Sequence, residues 1–317
     1  MRKYRDLLVG YAPMLATAGV LISDEHFSDF AMGNVVTQAV LFTVLAAIPA
    51  YRTGTMSYVD IAWPAGLVVI GLQVPIYATR LGPSAIAVAA VYVAVGLRMS
   101  LPGIRYLLRF HRLTGEFGRY RYRKFRWEAE GWQSVRVPMQ FEIWLQAMAN
   151  TSVLAAPALL VTADADQHLH PIQILALLMW AGCWSLESLA DRQKRQFAAR
   201  AERTATCDVG LWRYSRHPNY FFQWLGWVTL ALAVTPTLVQ LRYTVSATTL
   251  ATLALALAAA CAFMLWTLLE LTGIKPAEYF SVRKRPGYAD YQRTTSTFVP
   301  WPRRHADGQS ARQEVPA

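Results

Sequence analysis

The chain has little charge and few cysteines, and both shortages narrow its class. Only 16% of its 317 residues are Asp, Glu, Lys or Arg, whereas soluble domains carry about 25%, so a soluble enzyme is disfavoured. The three cysteines are far apart in the sequence, which excludes a disulfide-rich secreted scaffold and a CxxC metal site. The 11 Trp, 15 Tyr and 13 Phe residues argue against intrinsic disorder.

Long apolar runs are what the sequence has instead, with 54% hydrophobic residues and a mean hydropathy of +0.23. A helix needs about 20 mainly apolar residues to cross a bilayer. We therefore predict an all-α, polytopic transmembrane helix bundle of about eight spans. A count of six or seven also fits, because the first run is short and Pro64 and Pro75 interrupt the third. The predicted spans are Leu7–Ile22, Ala31–Tyr51, Val59–Ala78, Ser84–Ile104, Phe141–Val161, Ile172–Leu189, Tyr220–Val239 and Val245–Leu271.

The basic residues indicate the orientation of these spans. If the N-terminus is cytoplasmic, 29 of the 31 Lys and Arg residues fall on the cytoplasmic side, as the positive-inside rule expects. Both termini are then cytoplasmic, and the net charge of +11 reflects topology, so no nucleic-acid partner is predicted. The first run also has features of a cleaved signal peptide, with Ala16-Thr17-Ala18 near its end.

Five ionisable residues lie within the predicted spans, each near a cytoplasmic end: Asp60, Arg98, Glu142, Glu187 and Glu270. A charge in a membrane is costly and therefore suggests function. The simpler interpretation is that each side chain extends to the interface. Because all five lie on one side, we expect a polar chamber that opens to the cytoplasm.

Two cytoplasmic segments add candidate ligand-binding residues. Glu187, Asp191 and Lys194 are spaced i, i+4, i+7, so they share one face of a helix that leaves the membrane. Residues 210–227, GLWRYSRHPNYFFQWLGW, place basic, imidazole and amide side chains directly before a span. Pro218 suits the first position of that helix, and a helix start beside guanidinium groups favours an anion.

The C-terminal residues 275–301 repeat this combination. Arg283 precedes Tyr288 and Tyr291, which are spaced i, i+3 on a predicted short helix. Arginines suit phosphates and tyrosine rings suit flat heterocycles, so the two segments together predict a nucleotide site built from loops. The sequence has neither GxGxxG nor GxxxxGK[ST], and its six histidines lack the spacing of metal ligands, so no metal is predicted.

These motifs resemble a known group of proteins. The run from Glu187 to Phe197, the segment GLWRYSRHPNY and the segment RPGYADYQRTTSTFVPWP resemble a bacterial membrane protein family of unknown function within the steroid 5α-reductase superfamily. VDIAWP (residues 59–64), GLRMS (96–100) and GEFGRY (115–120) are weaker matches. The superfamily is related to sterol reductases and to isoprenylcysteine carboxyl methyltransferases.

The resemblance implies an oxidoreductase of a bacterial inner membrane, similar to 3-oxo-5α-steroid 4-dehydrogenases, with its active site facing the cytoplasm. NADPH would reduce a conjugated C=C bond in a lipophilic substrate that enters from the bilayer. Residues 1–140 would form the substrate side, residues 141–302 the cofactor side, and residues 303–317 a disordered tail. The implied cofactor contacts are Glu187, Asp191, Arg195, Tyr214, Arg216, His217, Asn219, Tyr220, Arg283, Tyr288 and Tyr291.

The chain departs from the family pattern near its catalytic positions. Phe222 and Gln223 replace the usual Gly-Glu after the NYF of the motif, and Glu116-Phe117 replaces a Glu-Asp. The Glu and Tyr that act on the enone of steroid reductases have no aligned counterparts. Asp60 or Glu142 are candidates for the Glu, and Tyr58 or Tyr92 for the Tyr.

Two other functions stay open from the sequence. One is methyl transfer from S-adenosylmethionine, which lacks the phosphates that Arg195, Arg216, Arg283 and Arg285 would bind in NADPH. The other is a membrane scaffold or lipid-binding protein without enzymatic activity, for which Asp191 and its polar neighbours would have no role. The density of arginines favours NADPH.

Overall fold

The computed structural model describes residues 11–110, 115–164, 166–202 and 204–304, and the regular structure within them is helical. Short 3₁₀ and π segments join some of the α-helices. The α-helices are α1 (Ala12–Ser23), α2 (Ser28–Phe42), α3 (Ile48–Thr53), α4 (Val59–Tyr77), α5 (Pro83–Phe110), α6 (Gly118–Ala129), α7 (Arg136–Thr151), α8 (Ala156–Thr162), α9 (Pro171–Arg200), α10 (Pro218–Ala233), α11 (Thr235–Gln240), α12 (Ala247–Trp266), α13 (Ile274–Lys284) and α14 (Tyr288–Thr294).

Seven helical segments of the described chain are long and apolar enough to cross a membrane, so the protein is an integral membrane protein. They confirm seven of the predicted spans. The first predicted span corresponds to α1, a shorter apolar helix, and its residues 7–10 lie outside the described residues. The seven segments are Ser28–Thr53, Met56–Tyr77, Pro83–Arg109, Arg136–Thr162, Pro171–Arg200, Pro218–Tyr243 and Ala247–Lys284.

Two of the spans contain π-helical segments, and a glycine ends or follows the helical turn after each one. A π segment, Thr43–Ala47, joins α2 to α3, and Gly54 ends α3 in the left-handed region at φ +70°, which glycine adopts without strain. Another π segment, Thr267–Leu271, ends α12. Gly273 follows it at a position where an added Cβ would lie 2.0 Å from the Leu268 carbonyl oxygen. The turn between α12 and α13 therefore requires glycine.

Close helix packing organises the membrane part of the protein. The antiparallel helices α4 and α5 approach each other at glycines, because a Cβ on Gly96 would lie 2.5 Å from the Pro64 carbonyl oxygen and one on Gly71 would lie 2.8 Å from that of Ala89. Within lipid the hydrophobic effect does not drive helices together, so small residues favour association by letting the helix backbones pack closely. The helices α9 and α10 form a second packed pair.

The basic helix α6, GRYRYRKFRWEA, is held against the starts of α4 and α7. Arg119 bonds Asp60 at the start of α4 at 2.6 Å, and Arg123 bonds Glu142 near the start of α7 at 2.5 Å. On its other side, the ring of Tyr122 lies 5.0 Å from that of Tyr279 in α13. Through these contacts α6 connects the N-terminal spans to the C-terminal segment.

Candidate functional site

An ion-pair cluster joins α5 to the C-terminal half of α9. The guanidinium of Arg98 lies 3.0 Å from Glu187 and 2.7 Å from Asp191 and 4.8 Å from the centroid of the Trp184 ring. Asn219 donates to the other oxygen of Asp191 at 3.1 Å. Glu187 and Asp191 share one helix face, as the i, i+4 spacing predicts, and the cluster extends to the first turn of α10.

Arg216 makes a second cluster that consumes all of its hydrogen-bonding capacity. It bonds both carboxylate oxygens of Glu278 at 2.7 and 3.3 Å, the carbonyl oxygens of Gln292 and Thr295, and the Thr297 hydroxyl. A guanidinium has five N–H donors, and all five are in use. Arg216 therefore fastens the segment before α10 to α13 and to the residues after α14.

His217 and Tyr220 form an aromatic pair at the start of α10. Their rings are parallel within 4° with centroids 5.4 Å apart, and the Nε2 of His217 lies 3.2 Å from Glu278. Burial lowers the pKa of His217, so the ring is neutral and its Nε2–H donates to the carboxylate. The helix begins at Pro218, as the sequence predicted.

A cavity of about 280 Å³ lies beside Tyr220, where α6, α10 and the turn before α13 meet. Its walls include Arg119 from α6, Tyr220 from α10 and Gly273 from the turn before α13. Asp60 accepts hydrogen bonds from Arg119 and, at 2.6 Å, from the Tyr120 hydroxyl. Burial, reinforced by the negative charge of Asp60, raises the pKa of Tyr120, so its hydroxyl is a donor.

Two basic side chains lie near each other at the C-terminal end of α9. Lys194 interacts electrostatically with Cys207, Arg285 and Asp191, and its Nζ lies 4.1 Å from the centroid of the Trp212 ring. Burial raises the pKa of the Cys207 thiol, so the thiol is neutral and Asp191 is the carboxylate that acts on Lys194. Two neighbouring cations repel each other, and an anion between them would relieve that repulsion.

Several buried polar side-chain atoms in α6 and in the C-terminal half of the chain lack hydrogen-bond partners. Five of them are Asn219 Oδ1, Arg119 Nε, Arg285 Nε, Thr206 Oγ1 and Thr267 Oγ1. Buried polar groups are normally paired, and each exception calls for water, an ion or a ligand. Because two of these five atoms belong to guanidinium groups, the set suits a polar ligand that carries negative charge.

The predicted cofactor residues fall into three groups. Glu187, Asp191, His217, Asn219 and Tyr220 come together where the C-terminal half of α9 meets the start of α10. Arg216, Tyr288 and Tyr291 are buried in contacts within the protein, where the Tyr291 hydroxyl donates to the Trp212 carbonyl oxygen at 2.5 Å. Arg195, Tyr214 and Arg283 are exposed.

The three catalytic candidates lie in two places. Asp60 and Glu142 both act electrostatically on the buried Tyr120, so they share one region beneath α6. Tyr92 lies within the membrane part of α5, where its hydroxyl donates to the Leu154 carbonyl oxygen at 2.5 Å. Tyr58, the other tyrosine that the sequence suggested, is buried at the start of the same span as Asp60.

All five ionisable residues that the sequence places within the spans make ion pairs. Asp60 pairs with Arg119, Arg98 with Glu187, and Glu142 with Arg123, while Glu270 pairs with Lys275 at an exposed position. Charges at a membrane boundary are stable when each has a nearby partner, and the basic helix α6 supplies two of these partners. The described residues contain no group of three His, Cys, Asp or Glu side chains that would hold a metal.

Sequence reasoning named Glu116 only as a departure from the family motif and gave no role to Arg119 or Arg123. The Glu116 carboxylate accepts from the backbone N–H groups of Met56 and Ser57 at 3.0 and 2.9 Å, and so caps the start of the third predicted span. A carboxylate is stabilising there because of the helix dipole. The sequence signal for the two arginines was the basic, aromatic pattern of residues 118–129. That pattern does not show which residues they pair with, because the partners Asp60 and Glu142 lie on other helices.

Fold and site together define a multi-span helical membrane protein with a polar, partly unpaired site where α6, α9, α10 and α13 come together. Residues 47–295 match a family described as a protein of unknown function (DUF1295), and the chain belongs to that family. No curated protein and no solved structure matches the chain.

Proposed function

We propose that this protein is a membrane-embedded, NADPH-dependent reductase of a conjugated C=C bond in a lipophilic substrate. The observation that carries the proposal is the set of unpaired buried polar atoms that includes Asn219 Oδ1 on α10 and the Nε–H groups of Arg119 and Arg285. Soluble nucleotides are available on the cytoplasmic side of the membrane, where the positive-inside rule expects these residues, and lipophilic substrates reach the same helices from the bilayer.

The chemistry of the site suits a phosphorylated dinucleotide. Lys194 and Arg285 offer positive charge to phosphates, and Arg285 has an unpaired Nε–H. The stacked pair of His217 and Tyr220 offers a flat surface to a heterocycle, and Asn219 Oδ1 offers an acceptor to an amide or a hydroxyl. Arg216 contributes indirectly, because it holds the loop that carries this pair.

NADPH supplies a hydride for the β-carbon of the unsaturated substrate, and the α-carbon takes a proton. The chain's part is to hold the substrate carbonyl oxygen, where negative charge develops, with a hydrogen-bond donor. Arg119 is the best-supported donor, because its buried Nε–H has no partner and its side chain lines the cavity of about 280 Å³, while Asp60 holds its guanidinium at 2.6 Å. Asp60 is then a positioning residue, and Glu142, Tyr58 and Tyr92 are alternatives.

Methyl transfer from S-adenosylmethionine is the second candidate. The parallel rings of His217 and Tyr220 suit adenine, and the carboxylates of Asp60 and Asp191, which act electrostatically on Tyr220, suit a sulfonium cation. Lys194 and Arg285 would then have no phosphate to bind.

Calorimetry on the purified protein in detergent separates these functions. We expect NADPH to bind, and Arg285→Ala to weaken binding by about 10- to 100-fold, the loss of one charge-assisted hydrogen bond of about 1.5–3 kcal/mol. Arg293→Ala is the matched control, because Arg293 is exposed and pairs only with its helix neighbour Asp290. Binding of S-adenosylmethionine alone would favour the methyltransferase, and binding of none of the nucleotides would refute both functions.

A further inference from the structure

The cavity beside Tyr220 has a single charged side chain in its walls. Its volume of about 280 Å³ is close to the lower end, about 300 Å³, of small-molecule sites. Of its nine lining residues, all in the described part of the chain, Arg119 alone is charged, and several others are apolar, among them Phe117, Pro276 and Phe280. A cavity with one cation and no carboxylate in its walls favours a ligand with negative charge.

Two hydrogen-bond donors of the cavity walls have no partner among the residues that the structure describes. One is the buried Nε–H of Arg119, because Asp60 bonds Nη2 of the same guanidinium, at 2.6 Å. The other is the hydroxyl of the half-buried Tyr220, whose ring is stacked with that of His217. The two side chains interact electrostatically, so both donors are available to one ligand in the cavity.

The carboxylates near Tyr220 lie outside the cavity. Asp60 and Asp191 act electrostatically on Tyr220, but neither lines the cavity, and each is already paired, Asp60 with Arg119 and Asp191 with Arg98. A tyrosine hydroxyl is protonated near neutral pH. A ligand in the cavity therefore meets donors from both side chains, and an oxygen atom is the acceptor that suits them.

We propose that this cavity is an oxyanion site, in which the Nε–H of Arg119 and the hydroxyl of Tyr220 hold one negatively charged oxygen. In the proposed reductase, on which this assignment rests, that oxygen is the carbonyl oxygen of the substrate. The hydride of NADPH, which becomes NADP⁺, bonds the β-carbon, the C=C electrons move to the bond between the α-carbon and the carbonyl carbon, and the carbonyl π electrons move to the oxygen. Water then supplies the proton to the α-carbon.

The substrate class follows from where the negative charge develops. An unsaturated aldehyde or ketone places it on the oxygen that the two donors hold, whereas an unconjugated alkene has no such oxygen. Tyr220 is then a catalytic residue through its hydroxyl as well as a member of the stacked pair through its ring.

Binding of 4-nitrophenolate tests the oxyanion site without requiring turnover. At a pH above its pKa, the probe carries negative charge on an oxygen attached to a flat ring, and nitrobenzene is the neutral comparison. After subtraction of binding to empty detergent micelles, we expect the phenolate to bind about 10- to 100-fold more tightly, the effect of one charge-assisted hydrogen bond. Ala277→Phe adds a ring to a wall residue and removes neither donor, and it should abolish this binding.

Tyr220→Phe keeps the ring and removes only the hydroxyl. We expect it to lower phenolate affinity at least about tenfold and to leave NADPH affinity within about twofold. Arg119→Lys, which keeps a charge beside Asp60 but has no Nε–H, should lower phenolate affinity by a similar factor. Tyr243→Phe is the matched control, because Tyr243 ends the same span and is exposed.

The two proposals fail in different ways. Equal binding of phenolate and nitrobenzene, unchanged phenolate affinity in Tyr220→Phe, or an equal loss of NADPH affinity in that variant would overturn the oxyanion site. Phenolate binding that depends on Tyr220, in a protein that binds no nicotinamide nucleotide, would refute the reductase and leave the oxyanion site standing.

Discussion

Removal of Arg216 should destabilise the protein rather than only weaken cofactor binding. The side chain is 8% exposed and its five donors bond Glu278, two backbone carbonyls and one hydroxyl. Arg216→Ala leaves the carboxylate of Glu278 beside His217 and Gln292 without its cation. The segment before α10 loses its connection to α13 at the same time.

The expected cost follows from the burial of both partners. Breaking a buried ion pair by removing one partner costs about 3–5 kcal/mol, and the side chains of Arg216 and Glu278 are only 8% and 15% exposed. Arg216→Lys keeps the charge but has three donors and no planar fork, so we expect an intermediate loss. Because the two residues share one interaction, Arg216→Ala combined with Glu278→Gln should cost less than the sum of the single changes.

Unfolding in mixed detergent micelles, followed by tryptophan fluorescence, measures these costs. Arg213→Ala is the control, because Arg213 precedes Arg216 by three residues and its side chain is exposed. Stability of Arg216→Ala within about 0.5 kcal/mol of the native protein, the range of ordinary surface changes, would refute the reasoning. A stable variant with tenfold weaker NADPH binding would instead assign Arg216 a direct cofactor contact.

Three further predictions use the same unfolding assay. Because burial lowers the pKa of His217 below its ordinary value of 6.5, the unfolded state binds more protons, so stability should fall as pH decreases from 7.5 to 5.5, and His217→Asn should reduce this dependence. Gly273→Ala should prevent folding, because its Cβ would lie 2.0 Å from the Leu268 oxygen, whereas Gly182→Ala, with open space around it, should fold normally. Arg123→Ala should cost about 3–5 kcal/mol, since it leaves a buried carboxylate unpaired, and a loss no larger than at an exposed arginine of α6 would contradict this.

The spans were predictable because bilayer insertion depends on local composition. Runs such as those in α5 and α12 are apolar over the length that a membrane requires, and this property needs no knowledge of neighbours. The start of α10 at Pro218 and the short helix that carries Tyr288 and Tyr291 were also predictable, because proline position and residue spacing are likewise local properties. The start of the fifth span was harder to predict, since Glu142 is stabilised there by Arg123 from another helix.

The sequence by itself determined the class of the protein, its membrane spans and the segments that carry its polar residues, because each follows from side-chain chemistry within one stretch of chain. The tertiary structure decided which of those residues are free for a ligand. Arg216 and Asn219 lie three residues apart in one motif, yet Arg216 is saturated by Glu278 while Asn219 keeps an unpaired oxygen. Hydrogen-bond partners from distant helices decide this difference, and no local pattern contains them.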